Sequence, residues 1–323
     1  MRRRDLLAGL LATATASSLQ AAEPNKVYRL AITTLPNTNS TPILDRLRQL
    51  GYVEGKNLIV DRYAIEGLTA FTEMARNMAR AEPDVILLAP ADNKLISQVA
   101  KEAPTIPIVA VLPSLASGLV RNVARPEGNI TGIAADAGIE MQGKQLDILR
   151  QAVPSASRVA YLSNRDDWQG AWGHAIQEAG RASGISIIGI QMDRSAEEPE
   201  YRQAFETMVQ QSAEALIFNG LTPNWEHRAL ITELAAKHRL PSIGWATDVV
   251  KMGQGLLSYA PDYSDFPERL ADLIGKVFRG TKVADIPVEQ PTKFILAINL
   301  KTANALGLEI PAGLIARADE VIE

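Results

Sequence analysis

Three histidines, no cysteine and a scatter of hydroxyls, amides and carboxylates after apolar runs are what this 323-residue chain offers for chemistry. His174, His227 and His238 fall on separate segments without His-Glu-x-x-His or other dense ligand spacing, so each reads as a helix-face residue. The missing cysteine removes disulfides, thiolate metal sites, cysteine nucleophiles and a lipid-bearing cysteine anchor together. There is no Gly-x-Ser-x-Gly elbow and no phosphate-wrapping glycine loop. The turn after the first apolar run is Thr33-Thr34-Leu35-Pro36-Asn37. No coherent acid–base, nucleophile or nucleotide set emerges, so the chain reads as a non-enzyme with no cofactor and no metal.

Recognition chemistry is better supplied. Thr33, Thr34, Asp92 and Ser114 follow apolar runs in the first half, and Asn164, Asp166, Trp168, Asn219, Thr222, Trp245 and Asp248 do so in the second. Neutral donors, carboxylates and two indoles suit a small amphiphilic solute held by a few fixed polar groups in a mostly apolar pocket. Asp166 and Asp248 can each pair with a ligand ammonium, and Trp168 and Trp245 can stack on a ring or cover an aliphatic body. The same residue types cap helices and fill cores, so both roles stay open for each. Arg121 and Arg125 read as surface residues.

The elements that must position these groups alternate. Strands are expected at Val27 to Thr33, Leu58 to Tyr63, Asp84 to Ala89 and Ile106 to Leu112, and again at Arg158 to Ser163, Ile185 to Ile190, Ala215 to Asn219 and Pro241 to Trp245. Between them run helical patterns: Phe71, Met74, Ala75, Met78 and Ala79 make one apolar face, and a helix is expected from Trp168 to Ser183. The phrases Ala81-Glu82-Pro83-Asp84-Val85 and Ser212-Ala213-Glu214-Ala215-Leu216 hold equivalent places in two repeated series. Continuous apolar strands alternating with helices predict an α/β fold with two doubly wound parallel-sheet lobes, whose ligands gather at the carboxyl ends of the strands.

Composition narrows the partner. Aromatic residues make up 5% and the formal charge is −4, and no Lys/Arg block appears past residue 4, so no nucleic-acid surface is expected. Residues 1–22 begin Met-Arg-Arg-Arg-Asp-Leu-Leu, continue through a diluted apolar stretch and end in small residues, the order of a cleavable export signal of the twin-arginine or Sec type. No stretch reaches the ~20 apolar residues of a spanning helix, so no direct membrane insertion of the remaining chain is expected.

Several phrases resemble a known family. They are Leu50-Gly51-Tyr52-Val53-Glu54-Gly55-Lys56-Asn57, Arg125-Pro126-Glu127-Gly128-Asn129-Ile130-Thr131-Gly132, Gly255-Leu256-Leu257-Ser258-Tyr259 and, in the tail, Gln290-Pro291-Thr292-Lys293-Phe294 with Ala316-Arg317-Ala318-Asp319-Glu320. With them the chain resembles the ABC-transporter substrate-binding proteins related to the tryptophan-binding type. The resemblance implies a type I periplasmic binding protein with three hinge segments, which closes on a small-molecule ligand and docks on an inner-membrane ABC permease. The first loop, Leu35 to Ser40, is shorter than the family's usual run of Gly and Ser.

The expected organisation is an export signal at 1–22, one lobe from 26–134 plus about 256–285, and a second from 135–255 plus about 286–323. A monomer suits hinge closure. A receptor-coupled ligand sensor is the rival role, and an enzyme on the same scaffold the more distant one.

Overall fold

Short apolar runs build the strands. Val85–Leu88 and Ala215–Phe218 are buried at every residue, continuous rather than alternating, as strands covered on both faces must be. The computed structural model describes residues 26–34, 39–65, 71–89, 91–136, 138–193, 195–220, 223–252 and 254–323. The export signal at 1–22, residues 35–38 of the first loop, and Thr222 lie outside the described residues.

The first lobe runs β1 (Tyr28–Thr34), α1 (Thr41–Gln49), β2 (Leu58–Ala64), α2 (Phe71–Arg80), β3 (Val85–Leu88), α3 (Asn93–Glu102), β4 (Ile108–Leu112) and β5 (Ile130–Ala134). The second contributes α4 (Met141–Ala152), β6 (Arg158–Asn164), α5 (Arg165–Gln169), α6 (Ala171–Ser183), β7 (Ser186–Met192), α7 (Glu198–Gln210), β8 (Ala215–Phe218), α8 (Arg228–Lys237), β9 (Ser242–Gly244), α9 (Asp248–Lys251) and β10 (Leu257–Pro261). The chain then sends α10 (Phe266–Phe278) back to the first lobe. It ends in the second with β11 (Phe294–Asn299), α11 (Leu300–Leu306), α12 (Ala312–Ile315) and β12 (Glu320–Ile322).

The first sheet has the order β2-β1-β3-β4-β5, and the second β12-β11-β10-β9-β8-β6-β7. Reversed, the second contains β7-β6-β8-β9-β10, the same order as the first, so the repeated series is a repeated fold. All pairs are parallel except β10 with β11. Each sheet is sandwiched. Tyr28, Leu47 and Leu87 pack with α10 on one face of the first sheet, and Met78, Ile96 and Ile86 fill the other. In the second, Leu149, Tyr161 and Ile217 fill one face and Phe205, Leu216 and Leu234 the other.

Two expected boundaries move. Residues 257–261 were assigned to the first lobe, but β10 pairs with β9 and β11 in the second sheet, with Leu257 opposite Ile298. Residues 286–289 were assigned to the second lobe, but Ile286 and Val288 are buried in the first-lobe cores and Glu289 bridges Ile133 of β5. Apolar pattern marks an element without saying which sheet edge it completes; backbone pairing decides that. The chain therefore passes between lobes around 135–140, 262–265 and 290–293. The helix expected over Trp168 to Ser183 is also two helices, α5 and α6, meeting at Gly170 in extended conformation.

Candidate functional site

The strand order reverses between β1 and β3 and between β6 and β8, and ligands of such sheets gather beyond the carboxyl ends of the strands, here the space between the lobes. One side chain spans it. Trp172, in the first turn of α6, donates its indole N–H to Ser114 Oγ, just past β4, at 3.1 Å. The Trp172 and Trp245 rings meet edge to face with centroids 5.5 Å apart, and Met141 packs with both. Trp245 donates its own Nε1–H to the Tyr263 hydroxyl at 2.8 Å, which in turn donates to the Ala135 carbonyl at 3.0 Å. Tyr263 and Ala135 sit on two different crossings, so this bond pair ties one indole to both. Trp245 is seated on Gly220, where any Cβ would come within 2.8 Å of the indole Cδ1.

Beside this aromatic group stand buried titratable side chains. Asp136, on the first crossing, is 1% exposed. Burial pushes its carboxyl above the ordinary aspartate range, although Ser114 and the N–H groups of Leu115 and Gly138 favour the charged form. Burial likewise pushes the Tyr263 phenol up. Deeper in the second lobe a buried amide chain joins Tyr201 Oη to Asn224 Oδ1 at 2.9 Å, and Asn224 Nδ2 to Asn219 Oδ1 at 3.0 Å. Asn219 Nδ2 then donates to Asp167 Oδ2 at 2.9 Å. Among the described residues no group of three or more His, Cys, Asp or Glu is arranged to hold a metal ion.

Known proteins share this architecture. The family model of the ABC transporter substrate binding protein matches residues 37–322. The chain belongs to that family. A tyrosine-binding protein of Clostridioides difficile (strain R20291) is 21% identical over 272 residues, covering 81% of this chain and 74% of that protein. Among solved structures, an ABC domain in complex with L-Trp from Streptococcus pneumonia matches with a TM-score of 0.79 at 19% identity, over 92% of this chain and 100% of that one. A conserved domain protein from Vibrio cholerae gives a TM-score of 0.79 at 20% identity, over the same shares.

In this substrate-binding protein the residues singled out by sequence separate into groups. Ser114 and Trp245 meet in the aromatic cluster between the lobes. Thr33 and Asp92 hold backbone: Thr33 Oγ1 accepts from Ala89 N at 3.1 Å, and Asp92 caps α3 by accepting from Leu95 N at 2.7 Å. Asn164 caps α5 through Asp167 N, and Asn219 belongs to the amide chain. Thr34 is a half-buried residue at the end of β1, and Asp166 is exposed on α5. Asp248 opens α9 and pairs with Arg228 Nε at 2.6 Å.

Trp168 is not brought to the cluster. Its ring packs on Gly189 of β7, where a Cβ would lie 2.4 Å from the indole, and faces Tyr161 at 6.2 Å. Sequence reasoning missed Trp172, Asp136, Gln142 and Tyr263. The available signal was Gly170, a break inside a helical pattern that turns Trp172 to a different face from Trp168. Among the described residues no helix is long and apolar enough to cross a membrane.

Proposed function

We propose that this chain is the periplasmic solute-binding component of an ABC importer. It captures a small organic solute, an amino acid or an aromatic or aliphatic compound, between its lobes and performs no chemistry on it. The observation that carries this reading is the Trp172–Ser114 hydrogen bond across the lobes, set among Trp245, Met141 and Tyr263 where the strand ends converge. An occupant there touches both lobes at once, and contacts made only in the closed form shift an open–closed equilibrium. The relatives named for tyrosine and L-Trp support the aromatic end of the ligand range. The signal-like residues 1–22 support export, and hinge closure about the three crossings suits a monomer that delivers its cargo to an inner-membrane permease. Ser114 and Trp245 come first in the proposed ligand-facing set, with Thr34, Asp166, Asn219, Thr222 and Asp248 after them, whereas Thr33, Asp92 and Asn164 hold backbone and Trp168 packs on β7.

A thermal-shift screen of the chain from residue 23 against amino acids, aromatic acids, amines, sugars, nucleosides and osmolytes tests this. A ligand at a thousandfold excess over its Kd stabilises by about 4 kcal/mol. We expect one chemical class to give a saturable shift, a more compact scattering profile and a compound recovered unchanged. Turnover of the compound, or binding with no change in scattering, would overturn the reading.

A further inference from the structure

Rings cover a solute but do not fix its charge. Two buried side chains beside the cluster bear on that. Asp136 Oδ1 accepts from Leu115 N at 3.4 Å, and Ser114 and the Gly138 N–H also favour the carboxylate, whereas Oδ2 is buried with no hydrogen-bond partner among the described residues. Gln142, next to Met141 in the first turn of α4, is fully buried, and neither amide atom has a hydrogen-bond partner among the described residues. Buried polar atoms are paired about nine times in ten, and an unmatched one is costly. Asp136 lies on the first crossing, and Gln142 follows it six residues later in the first turn of α4.

The sign of the missing charge follows from the neighbours. Asp136 needs a donor and, once ionised, a cation. Two cations near the cluster are already engaged: Arg228, which shares a small cavity with Trp245, with Asp248 at 2.6 Å, and Lys293, beside Phe294, with Asp262 at 2.8 Å. Both indole N–H groups are also engaged, with Ser114 and Tyr263. What Trp172 and Trp245 have left to offer an occupant is ring face, the negative side of the aromatic quadrupole, which attracts ammonium groups.

We infer that the cleft selects an organic ammonium ion, with Asp136 Oδ2 accepting its N–H, the faces of Trp172 and Trp245 around it, and Gln142 reading a second polar group. The inference rests on the cleft being the solute site. It implies that a carboxylate on the ligand is dispensable whereas the ammonium is not.

The test is titration calorimetry on the unmodified protein with three matched sets: phenethylamine, 2-phenylethanol and phenylacetate; tryptamine, tryptophol and indole-3-acetate; hexylamine, 1-hexanol and hexanoate. In at least one set we expect the amine to bind tenfold or more tightly than its alcohol and acid, and Asp136→Asn to bring that amine within about threefold of the alcohol. Should the variant fail to fold, the ranking within sets on the unmodified protein decides alone. An alcohol or acid that equals or beats its amine in every set that binds overturns the inference, as does a preferred amine whose affinity survives Asp136→Asn. If none of the nine binds while the broad solute screen yields a saturable ligand, the ammonium inference falls and the cleft reading stands. If both are empty, both fall.

Discussion

The two lobes share one strand order and bring different side chains to the place where they meet. On the first lobe they are small and polar, and they hold their own backbone: Thr33 receives Ala89 N, and Asp92 receives Leu95 N. On the second the strand-end Asn164 does likewise, receiving Asp167 N, but Trp172, Trp245 and Met141 add an aromatic cluster whose indole hydrogen bonds run outward, to Ser114 of the other lobe and to Tyr263 on a crossing. The polar groups of the first rim are thus held within their own lobe, whereas the indoles of the second take their hydrogen-bond partners outside theirs.

The sharpest way to break that comparison is Trp245→Ala. It removes a 9% exposed indole, its bond to Tyr263 and its edge contact with Trp172. Large aromatic truncations in cores cost about 3–5 kcal/mol, so denaturant unfolding should show a loss of that size. A loss under about 1 kcal/mol would mean that the second rim is not held as described.

Asp136→Asn should act in the opposite direction. It swaps a buried carboxylate for a neutral isostere and should raise ligand-free stability by about 1–3 kcal/mol. The pH dependence has a defined sign. Burial raises the folded pKa of Asp136, so the ionised form opposes folding and this contribution to stability grows as pH falls from neutral through that pKa. The wild type should show that component in a pH series of melting curves, and the variant should lack it.

Smaller effects sharpen the contrast on the first rim. Asp92→Ala removes a helix cap and should cost about 1 kcal/mol of stability while leaving solute affinity nearly unchanged. Affinity falling by more than tenfold would make Asp92 a ligand contact as well. The smallest effect is at the crossings. Lys293, then Ser264, hold the Asp262 carboxyl down at about 2. This lowered folded pKa stabilises the protein above the ordinary aspartate range, and the contribution is lost as pH falls through about 2. Asp262→Asn should abolish that acid limb and lower neutral-pH stability by the same small amount, below about 1 kcal/mol. The amount is small because Lys293 is exposed and solvent screens the pair.

Much of the fold was legible because its strands are continuous apolar runs. Residues 85–88 and 215–218 read as buried strands from composition alone, and they anchor equivalent places in both sheets. The site was legible by type more than by direction. Trp168 and Trp172 stand four apart and share a face on an unbroken helix. The Gly170 break sends one over Gly189 and the other toward Ser114. Asp136 and Gln142 were not legible at all, since what marks them is the absence of a protein partner, and sequence does not display an absence of that kind. Leu257–Pro261 was assigned to the wrong sheet because an apolar strand carries no label for its edge.

The late return of α10 bears on how the chain reaches this structure. Phe266, Leu270, Leu273 and Ile274 wall one side of the first-lobe core, against Tyr28, Leu47 and Tyr52 from its beginning. During synthesis the first lobe therefore waits, with the apolar faces of β1 and α1 uncovered, until almost all of the second lobe has been made. Contacts between such distant segments fold slowly, because the closure entropy of a long loop precedes the gain from burial. The first-lobe core therefore closes only when α10 is available, whereas the cores of the second lobe draw on no residue of the first.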